Sequence, residues 1–368
     1  MSVYILIILW PAALYAISRM TSGIYEIDPV SGELTDRVTK GFAIFSVIPL
    51  IYWAAARYEQ FGDTNAYMKM FYSLPEKIGA AVTYISECDK DPGFYILSII
   101  IKMITGGNVR LYLGAIAAFQ LVILALIMRK HSSGFITGIF AFIASTDYMS
   151  WTFNGVRQFT AVIISFAACS FLFEGKYVKY CLMILLASTF HLSALMMIPI
   201  AFVALSKPWQ IRTFLLIAAF AIAIAYIGSV TSWLDDALAE TQYENVVTEW
   251  QITQDDGTNP LRVLVYSMPT ILSFIGLRYI REANNRSLDI VCNMSIAASI
   301  LYIFSILTSG IYIGRLPIYC SLYGMEILLP WEIKNMFSEN SAKIISIIMV
   351  ASFLVFYYYQ MHFAWGAI

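Results

Sequence analysis

Charged side chains are scarce in this chain of 368 residues. Asp, Glu, Lys and Arg together make up 13% of it, whereas apolar residues make up 60%. Soluble domains carry about 25% charged and roughly 45–50% apolar residues, so the composition excludes an ordinary soluble protein. The formal net charge of −1 adds little, because the placement of charge decides how such a chain lies in a membrane.

Histidine and cysteine are too few, or too scattered, to indicate a metal site. The chain has three histidines, and its five cysteines show no CxxC spacing. We therefore expect no metal and no cofactor. The first 18 residues contain neither a basic segment nor a small-residue cleavage site. They are expected to be a retained first span and not a signal peptide.

Long apolar runs dominate instead, and they predict an all-α, polytopic membrane helix bundle. Each full span must cross about 30 Å of hydrocarbon. Residues 93–104 are too short for this, and residues 180–205 carry His191 near the middle, so both are predicted to be half-membrane segments. The ten predicted full spans are residues 3–18, 41–56, 108–128, 134–148, 155–173, 212–230, 261–280, 288–308, 313–330 and 343–360.

The distribution of basic residues sets the predicted orientation. With two half-membrane segments, most of the 23 Lys and Arg residues, among them Arg19, Arg37 and Arg129, fall in inner loops. Both termini then lie outside. The prediction is a single transmembrane domain, residues 1–368, with two long outer segments. Residues 57–92 are expected to form an interfacial helix capped by Thr64, and residues 231–260 are acidic.

Arginines at span ends are functional candidates, because an unpartnered charge is costly there. Arg57 closes the second span, and Arg315 lies at another outer helix end. Arg157 and Gln158 follow Asn154, a predicted N-cap, in the first turn of a helix. Guanidinium groups and free helix amides suit a diphosphate. The predicted diphosphate ligands are therefore Arg57, Arg157, Gln158 and Arg315. Each arginine could instead be an interfacial anchor.

Three further residues could move a proton or hold a hydroxyl group. Asp63 is the first choice for a carboxylate that accepts a proton from an acceptor hydroxyl. Asp91 is the second, although Asp91-Pro92-Gly93 also reads as a helix cap. His191, at the tip of a predicted half-membrane hairpin, is expected to face a cavity as a base or hydrogen-bond donor. The alternative is a histidine that is hydrogen-bonded inside the bundle.

Five short motifs occur in a characteristic order. The first is R-x5-D-x3-Y at Arg57, Asp63 and Tyr67, followed by DPGFYILS and NGVRQFTAV. FHLSAL and then GRLPIY, which contains Arg315 and Tyr319, complete the series. In these motifs, over residues 57–323, the sequence resembles the EpsG family, the Wzy-like polymerases of bacterial extracellular and surface polysaccharides such as O-antigen and capsule.

The resemblance implies a fold similar to membrane glycosyltransferases that use polyprenyl-linked sugars. It implies a multi-pass protein of the bacterial cytoplasmic (inner) membrane with its active site on the outer, periplasmic face. A growing glycan would leave undecaprenyl diphosphate and join a lipid-linked repeat unit. The partners implied are the undecaprenyl-diphosphate-linked oligosaccharide and membrane lipid, with a chain-length regulator protein left open and no nucleic acid.

In this interpretation the catalytic residues are Asp63, His191 and Arg157. Tyr67, Asp91 and Tyr319 would bind the glycan. Two alternatives stay open from the sequence. A ligase of the O-antigen type would use nearly the same site, and a transporter or flippase of lipid-linked glycan would use the arginines to steer an anionic substrate.

Overall fold

The computed structural model describes residues 2–21, 23–27, 34–88, 90–215, 219, 258–306 and 313–365. Most of the predicted span 212–230 and nearly all of the predicted acidic segment 231–260 lie outside the described residues. The described chain is helical apart from one β-hairpin. It divides into two compact units, Met1–Leu195 with Phe337–Ile368, and Met196–Met336. The prediction of one domain over residues 1–368 stays a prediction.

The first unit contains eleven described helices before residue 195 and a long C-terminal helix. Two of its elements, β1 and β2, form an antiparallel pair in which Ile24 lies opposite Arg37. The elements are α1 Ser2–Ser18, β1 Ile24–Ile27, β2 Leu34–Arg37, α2 Lys40–Ala56, α3 Thr64–Ser73, α4 Ile78–Ser86, α5 Pro92–Thr105, α6 Val109–His131, α7 Phe135–Ala144, α8 Asp147–Ser150, α9 Val156–Ala167, α10 Cys169–Phe173, α11 Tyr177–Ser188 and the C-terminal helix Glu339–Tyr359, which continues as a π-helix over Gln360–Ala364.

The second unit is built from shorter and more interrupted helices. Its elements are α12 Met197–Ala204, which follows the 3₁₀ turn Leu192–Met196, then helices Pro260–Ile275, Leu277–Ala283 and Arg286–Ile306, the 3₁₀ turn Ile313–Arg315, helix Ile318–Leu322, the π-helix Tyr323–Leu328 and helix Leu329–Asn335. Helix Arg286–Ile306 is buried along most of its length, so it forms the core of this unit.

Within the described residues, four helices are long and apolar enough to cross a membrane: Val109–His131, Val156–Phe173, Arg286–Ile306 and Glu339–Ala364. The pair Pro260–Ile275 and Leu277–Ala283, bent by 69°, would make a fifth span. Several other predicted spans coincide with apolar helices of 10–17 residues. An all-helical membrane protein is therefore supported, while the number of ten full spans stays a prediction.

The α2–α6 pair organises the first unit. Its members pack through small and aliphatic residues, and a Cβ added at Gly114 would lie 3.1 Å from the Cβ of Ala55. At 23 residues, α6 is about 35 Å long. Arg110, at its beginning, donates to the carbonyl of Arg57, whereas the carbonyl of Arg129, near its end, accepts from Arg37. Two clusters of charge therefore lie at opposite ends of one membrane-length helix.

The prediction of one continuous interfacial helix within residues 57–92 is wrong, because the structure has two shorter helices there. The first ends where the chain leaves the helical conformation at Leu74, whose ψ of 143° is extended. Pro75 follows, and the residue before a proline is disfavoured in the helical region. Thr64 is also not a cap, because it lies inside α3 and its hydroxyl accepts from Arg57 Nε at 2.7 Å.

The start of α5 packs closely against the break that follows α11. The backbone N–H of Gly93 donates to the carbonyl of Thr189 at 2.8 Å. A Cβ at Gly93 would overlap the Thr189 hydroxyl and lie 3.1 Å from the Phe190 ring. Glycine is therefore required here for the close approach of the two segments. The helix is interrupted between Ser188 and Leu192, where the sequence places the tip of a half-membrane hairpin.

We expect Gly93→Ala to lower the free energy of unfolding by about 1–3 kcal/mol, because the added methyl group forces the two segments apart. The measurement is thermal unfolding of the purified protein in detergent. Gly79→Ala is the matched control: Gly79 lies in α4 with nothing within 4 Å of an added Cβ. That change should be neutral or stabilising by about 0.5–1 kcal/mol. Equal effects of the two substitutions would contradict the close packing at Gly93.

Candidate functional site

Three stretches of the first unit converge at the end of α2. They are the loop after α2 with the start of α3, the turn that begins α5, and the turn that begins α9. Each carries one of the motifs recognised in the sequence. The residues predicted from the sequence that lie in these stretches are Arg57, Asp63, Tyr67, Asp91, Arg157 and Gln158.

Arg57 is buried and holds two of these stretches together. Its Nε donates to Thr64 Oγ1 at 2.7 Å, and its Nη1 donates to the carbonyls of Ala54 and Thr152 at 2.9 and 3.3 Å. The guanidinium lies 5.3 Å from the centre of the Phe153 ring. Burial lowers the pKa of Arg57 to about 10, so it remains charged at neutral pH. These contacts make it a positioning residue, and its binding of a diphosphate stays a prediction.

Two hydrogen bonds join Asp63 to the neighbouring residues Asn154 and Gly155. The backbone N–H of Asp63 donates to Asn154 Oδ1 at 3.0 Å, and the backbone N–H of Gly155 donates to Asp63 Oδ2 at 2.9 Å. Gly62 has a φ of +56°, and a Cβ there would overlap the Asn154 amide. The prediction that Asn154 caps α9 is wrong, because Gly155 takes that position and the Asn154 side chain bonds to Asp63 instead.

Arg157 and Asp91 form an ion pair between α9 and the start of α5. Arg157 Nη1 lies 3.0 Å from Asp91 Oδ2, and the two side chains are 38% and 4% exposed. Asp91 precedes Pro92, as the cap prediction requires, but its side chain makes no capping bond. Its φ of +54° is left-handed, a costly conformation for a residue other than glycine. Burial raises the pKa of Asp91, and Arg157 opposes that rise.

Tyr67 connects the Arg157 turn to α3. Its hydroxyl accepts from the backbone N–H of Arg157 at 3.3 Å, and its ring meets the edge of Phe94 at a centroid distance of 6.0 Å. Burial raises the pKa of the Tyr67 hydroxyl. Gln158, the next residue of the turn, is 4% exposed. The turn that begins α9 is thus held by Tyr67 as well as by Asp91. The predicted contact of Tyr67 with the glycan stays a prediction.

His191 lies in the break between α11 and the following 3₁₀ turn. Its Nδ1 is 2.6 Å from Ser193 Oγ, and its side chain is half-buried. Because Thr189 contacts Gly93, the His191 segment lies beside the start of α5, close along the chain to Asp91. The structure therefore brings this segment to the same end of the unit as the three stretches around Arg57.

Arg315 and Tyr319 belong to the second unit. Arg315 is exposed at the end of the 3₁₀ turn Ile313–Arg315. Tyr319 is 1% exposed, packed inside its unit at the start of helix Ile318–Leu322. Their predicted roles in binding diphosphate and glycan stay predictions. In the described part of the chain, no three His, Cys, Asp or Glu residues are grouped so that they could hold a metal ion.

Sequence reasoning missed the residues that support the site. Phe153 and Gly62 are not identified from the sequence, and Thr64 is identified there only as a helix cap, although each contacts Arg57 or Asn154. The sequence offers only an indirect sign of their importance: Gly62 directly precedes Asp63, and Phe153 directly precedes the NGVRQ motif. Their partners lie about 90 residues away, except for Thr64, so local patterns could not identify the contacts.

We expect Arg57→Met to lower the free energy of unfolding by about 2 kcal/mol or more, because Thr64 and two carbonyls lose a charged donor. Thermal unfolding in detergent measures the change. Lys69→Met is the control, an exposed cation on α3, and should stay within about 0.5 kcal/mol of the parent. If Arg57→Met is as stable as the parent but no longer binds the diphosphate-linked substrate, Arg57 is instead a ligand-binding residue.

Comparison with known families agrees with the motif order. The sequence model of the EpsG family matches residues 40–366, a range that contains every residue of the candidate site. No curated protein and no solved structure matches the chain. The match and the apolar helices together indicate a membrane protein with a polysaccharide-polymerase type of function. The predicted resemblance is confirmed, and the chain belongs to the EpsG family.

Proposed function

We propose that this protein is a polysaccharide polymerase of the bacterial cytoplasmic membrane. It transfers a growing glycan from undecaprenyl diphosphate to a lipid-linked repeat unit. The observation that carries this proposal is the Arg157–Asp91 pair at the beginning of α9, inside the range matched by the family. The pair holds a partly exposed guanidinium, a group suited to an anionic leaving group, at the start of α9. The N–H groups of Gly155 and Arg157 at this helix end are bonded to Asp63 and Tyr67.

Arg157 is the proposed ligand of the diphosphate. Asp91 and the Tyr67 hydroxyl fix the turn that carries it, yet the Arg157 side chain keeps 38% of its surface accessible. A fixed cation is useful where negative charge develops during reaction, because no reorganisation is needed at that moment. We infer that Arg157 stabilises the diphosphate as the anomeric carbon–oxygen bond breaks, with Gln158 and Arg315 as further predicted ligands.

Asp63 and His191 are the two candidates for the general base. As the acceptor hydroxyl oxygen bonds to the anomeric carbon, its proton passes to one of them and the diphosphate departs as an anion. Asp63 is exposed, and its Oδ2 is already oriented by the Gly155 N–H. His191 is oriented by Ser193. Tyr67, Asp91 and Tyr319 are the predicted glycan contacts.

The predicted outer face is supported by the charges at the two ends of α6. The candidate site lies near the Arg110 end, whereas Arg37 and Arg129 lie at the other end. Basic loops favour the cytoplasmic side. With Arg37 and Arg129 in loops predicted inside, the proposal assigns the site to the periplasmic side.

Arg157→Ala should abolish long-chain glycan while leaving protein insertion and single repeat units intact. Arg157→Lys should restore only part of the product, because an ammonium cannot bind phosphate oxygens in the bidentate manner of a guanidinium. The measurement is a gel of surface glycan after deletion and complementation. Lys69→Ala, on exposed α3 surface, is the control and should give normal chains.

Different outcomes separate the alternatives. A normal chain-length distribution with Arg157→Ala would remove Arg157 from the mechanism. Finished but unattached polymer after deletion would indicate a ligase. Failure of the purified protein to polymerise lipid-linked repeats in detergent, together with transport of those lipids in vesicles, would indicate a flippase.

Asp63→Asn tests the base directly, because asparagine keeps an oxygen for the Gly155 N–H but loses basicity. We expect polymer formation to fall by about 100-fold or more, with thermal unfolding unchanged. His191→Gln is the parallel variant. If Asp63→Asn retains activity while Asp63→Ala loses it, Asp63 only positions the α9 turn, and the loss with His191→Gln then decides whether histidine is the base.

A further inference from the structure

A second polar cluster lies at the opposite end of α6 from the candidate site. There the first unit contains an open-sided cavity of about 700 Å³ among α1, α7 and the C-terminal helix Glu339–Tyr359. Its polar end is lined by Arg19, Arg37 and Arg129. Among the described residues that line the cavity, none is Asp or Glu. The cavity therefore has a cationic end, and nothing in the proposed polymerase chemistry uses it.

Two of the three arginines are fixed by the protein. Arg129 pairs with Glu26 through two contacts of 2.7 and 3.2 Å, and its Nε donates to the Val38 carbonyl at 2.7 Å. Arg37 donates to the carbonyls of Arg129 and Ser132. Both arginines are nearly buried. They form a fixed floor of two guanidinium groups, of which Arg129 is paired with Glu26.

Arg19 differs from these two because it is exposed. It follows α1 directly and lines the same cavity. Its side chain can therefore approach a ligand that enters beside α1 without breaking a contact that holds the fold. The preformed floor and the exposed cation together suit an anionic group such as a phosphate.

The rest of the cavity is apolar. Leu9 on α1 and Leu354 on the C-terminal helix line it and are 57% and 42% exposed. Phe140 on α7 and Met349 also contribute to the lining. The cavity thus has a cationic end and an apolar remainder, which suits an amphiphile with a charged head and hydrocarbon chains. Basic pockets between helices on the cytoplasmic side are typical sites for anionic lipid.

We propose that this cavity binds an anionic phospholipid from the inner leaflet. The phosphate lies on Arg19, above Arg37 and Arg129, and an acyl chain follows Leu9 and Leu354. The site is separate from the donor diphosphate site, because α6, about 35 Å long, lies between the two charged ends. The lipid would hold α1 and the C-terminal helix together at the inner membrane surface.

The test is native mass spectrometry of the full-length protein in detergent, titrated separately with dioleoyl phosphatidylglycerol, dioleoyl phosphatidylcholine and inorganic phosphate. We expect one saturable phosphatidylglycerol, with phosphatidylcholine clearly weaker. Arg19→Ala should weaken phosphatidylglycerol about fivefold, the contribution of one basic residue near an anionic membrane surface, and Arg19→Glu should weaken it further. Ala12→Phe, which narrows the apolar part at an exposed lining residue, should also weaken it.

Lys176→Ala is the matched control, an exposed basic residue in another predicted inner loop and outside the cavity lining. It should leave phosphatidylglycerol binding unchanged. Equal binding of the two phospholipids, or no effect of either Arg19 variant, would overturn the proposal. Displacement of the lipid by millimolar inorganic phosphate would show a phosphate site without lipid recognition and would also overturn it. Thermal unfolding of each variant separates lost binding from lost folding.

Discussion

The guanidinium of Arg57 joins the end of α2 to the chain that enters α9, and the geometry of the candidate site depends on this contact. It donates to carbonyls on both segments and to Thr64 at the start of α3. A buried cation is tolerated only where its donors are satisfied. This one side chain bonds to the end of α2, to the start of α3 and to the chain that enters α9. The turns that carry Asp63 and Arg157 are therefore held in a fixed position relative to each other.

The turn that begins α9 is then held by a second layer of contacts. Asp63 and Asn154 bond to each other's segments, while Tyr67 and Asp91 bond to the backbone and side chain of Arg157. The left-handed Asp91 persists because these contacts determine its position. Such preorganisation is what electrostatic stabilisation of a leaving anion requires, so structural and chemical roles overlap at this turn.

The α2–α6 pair separates two kinds of charged site. At one end lie the residues expected to act on a lipid-linked glycan, and at the other end Arg19, Arg37 and Arg129 line the cavity proposed for a phospholipid. A membrane-length helix with cations at both ends fixes the protein's depth, because neither charged group can enter the hydrocarbon cheaply. The candidate site is thereby kept near a membrane surface, as the proposed function requires.

The sequence by itself determined the membrane class and the family and nominated the candidate site residues, because composition, apolar run length and motif order are local properties. It did not determine which partners those residues choose. Asn154 and Asp91 looked like helix caps, whose bonds are worth about 1 kcal/mol. Only the tertiary structure decided that Asn154 meets Asp63 and that Asp91 meets Arg157. The Asp91–Arg157 contact is charge-assisted and therefore stronger than a local cap. Both contacts join segments far apart along the chain, so no local pattern in the sequence reveals them.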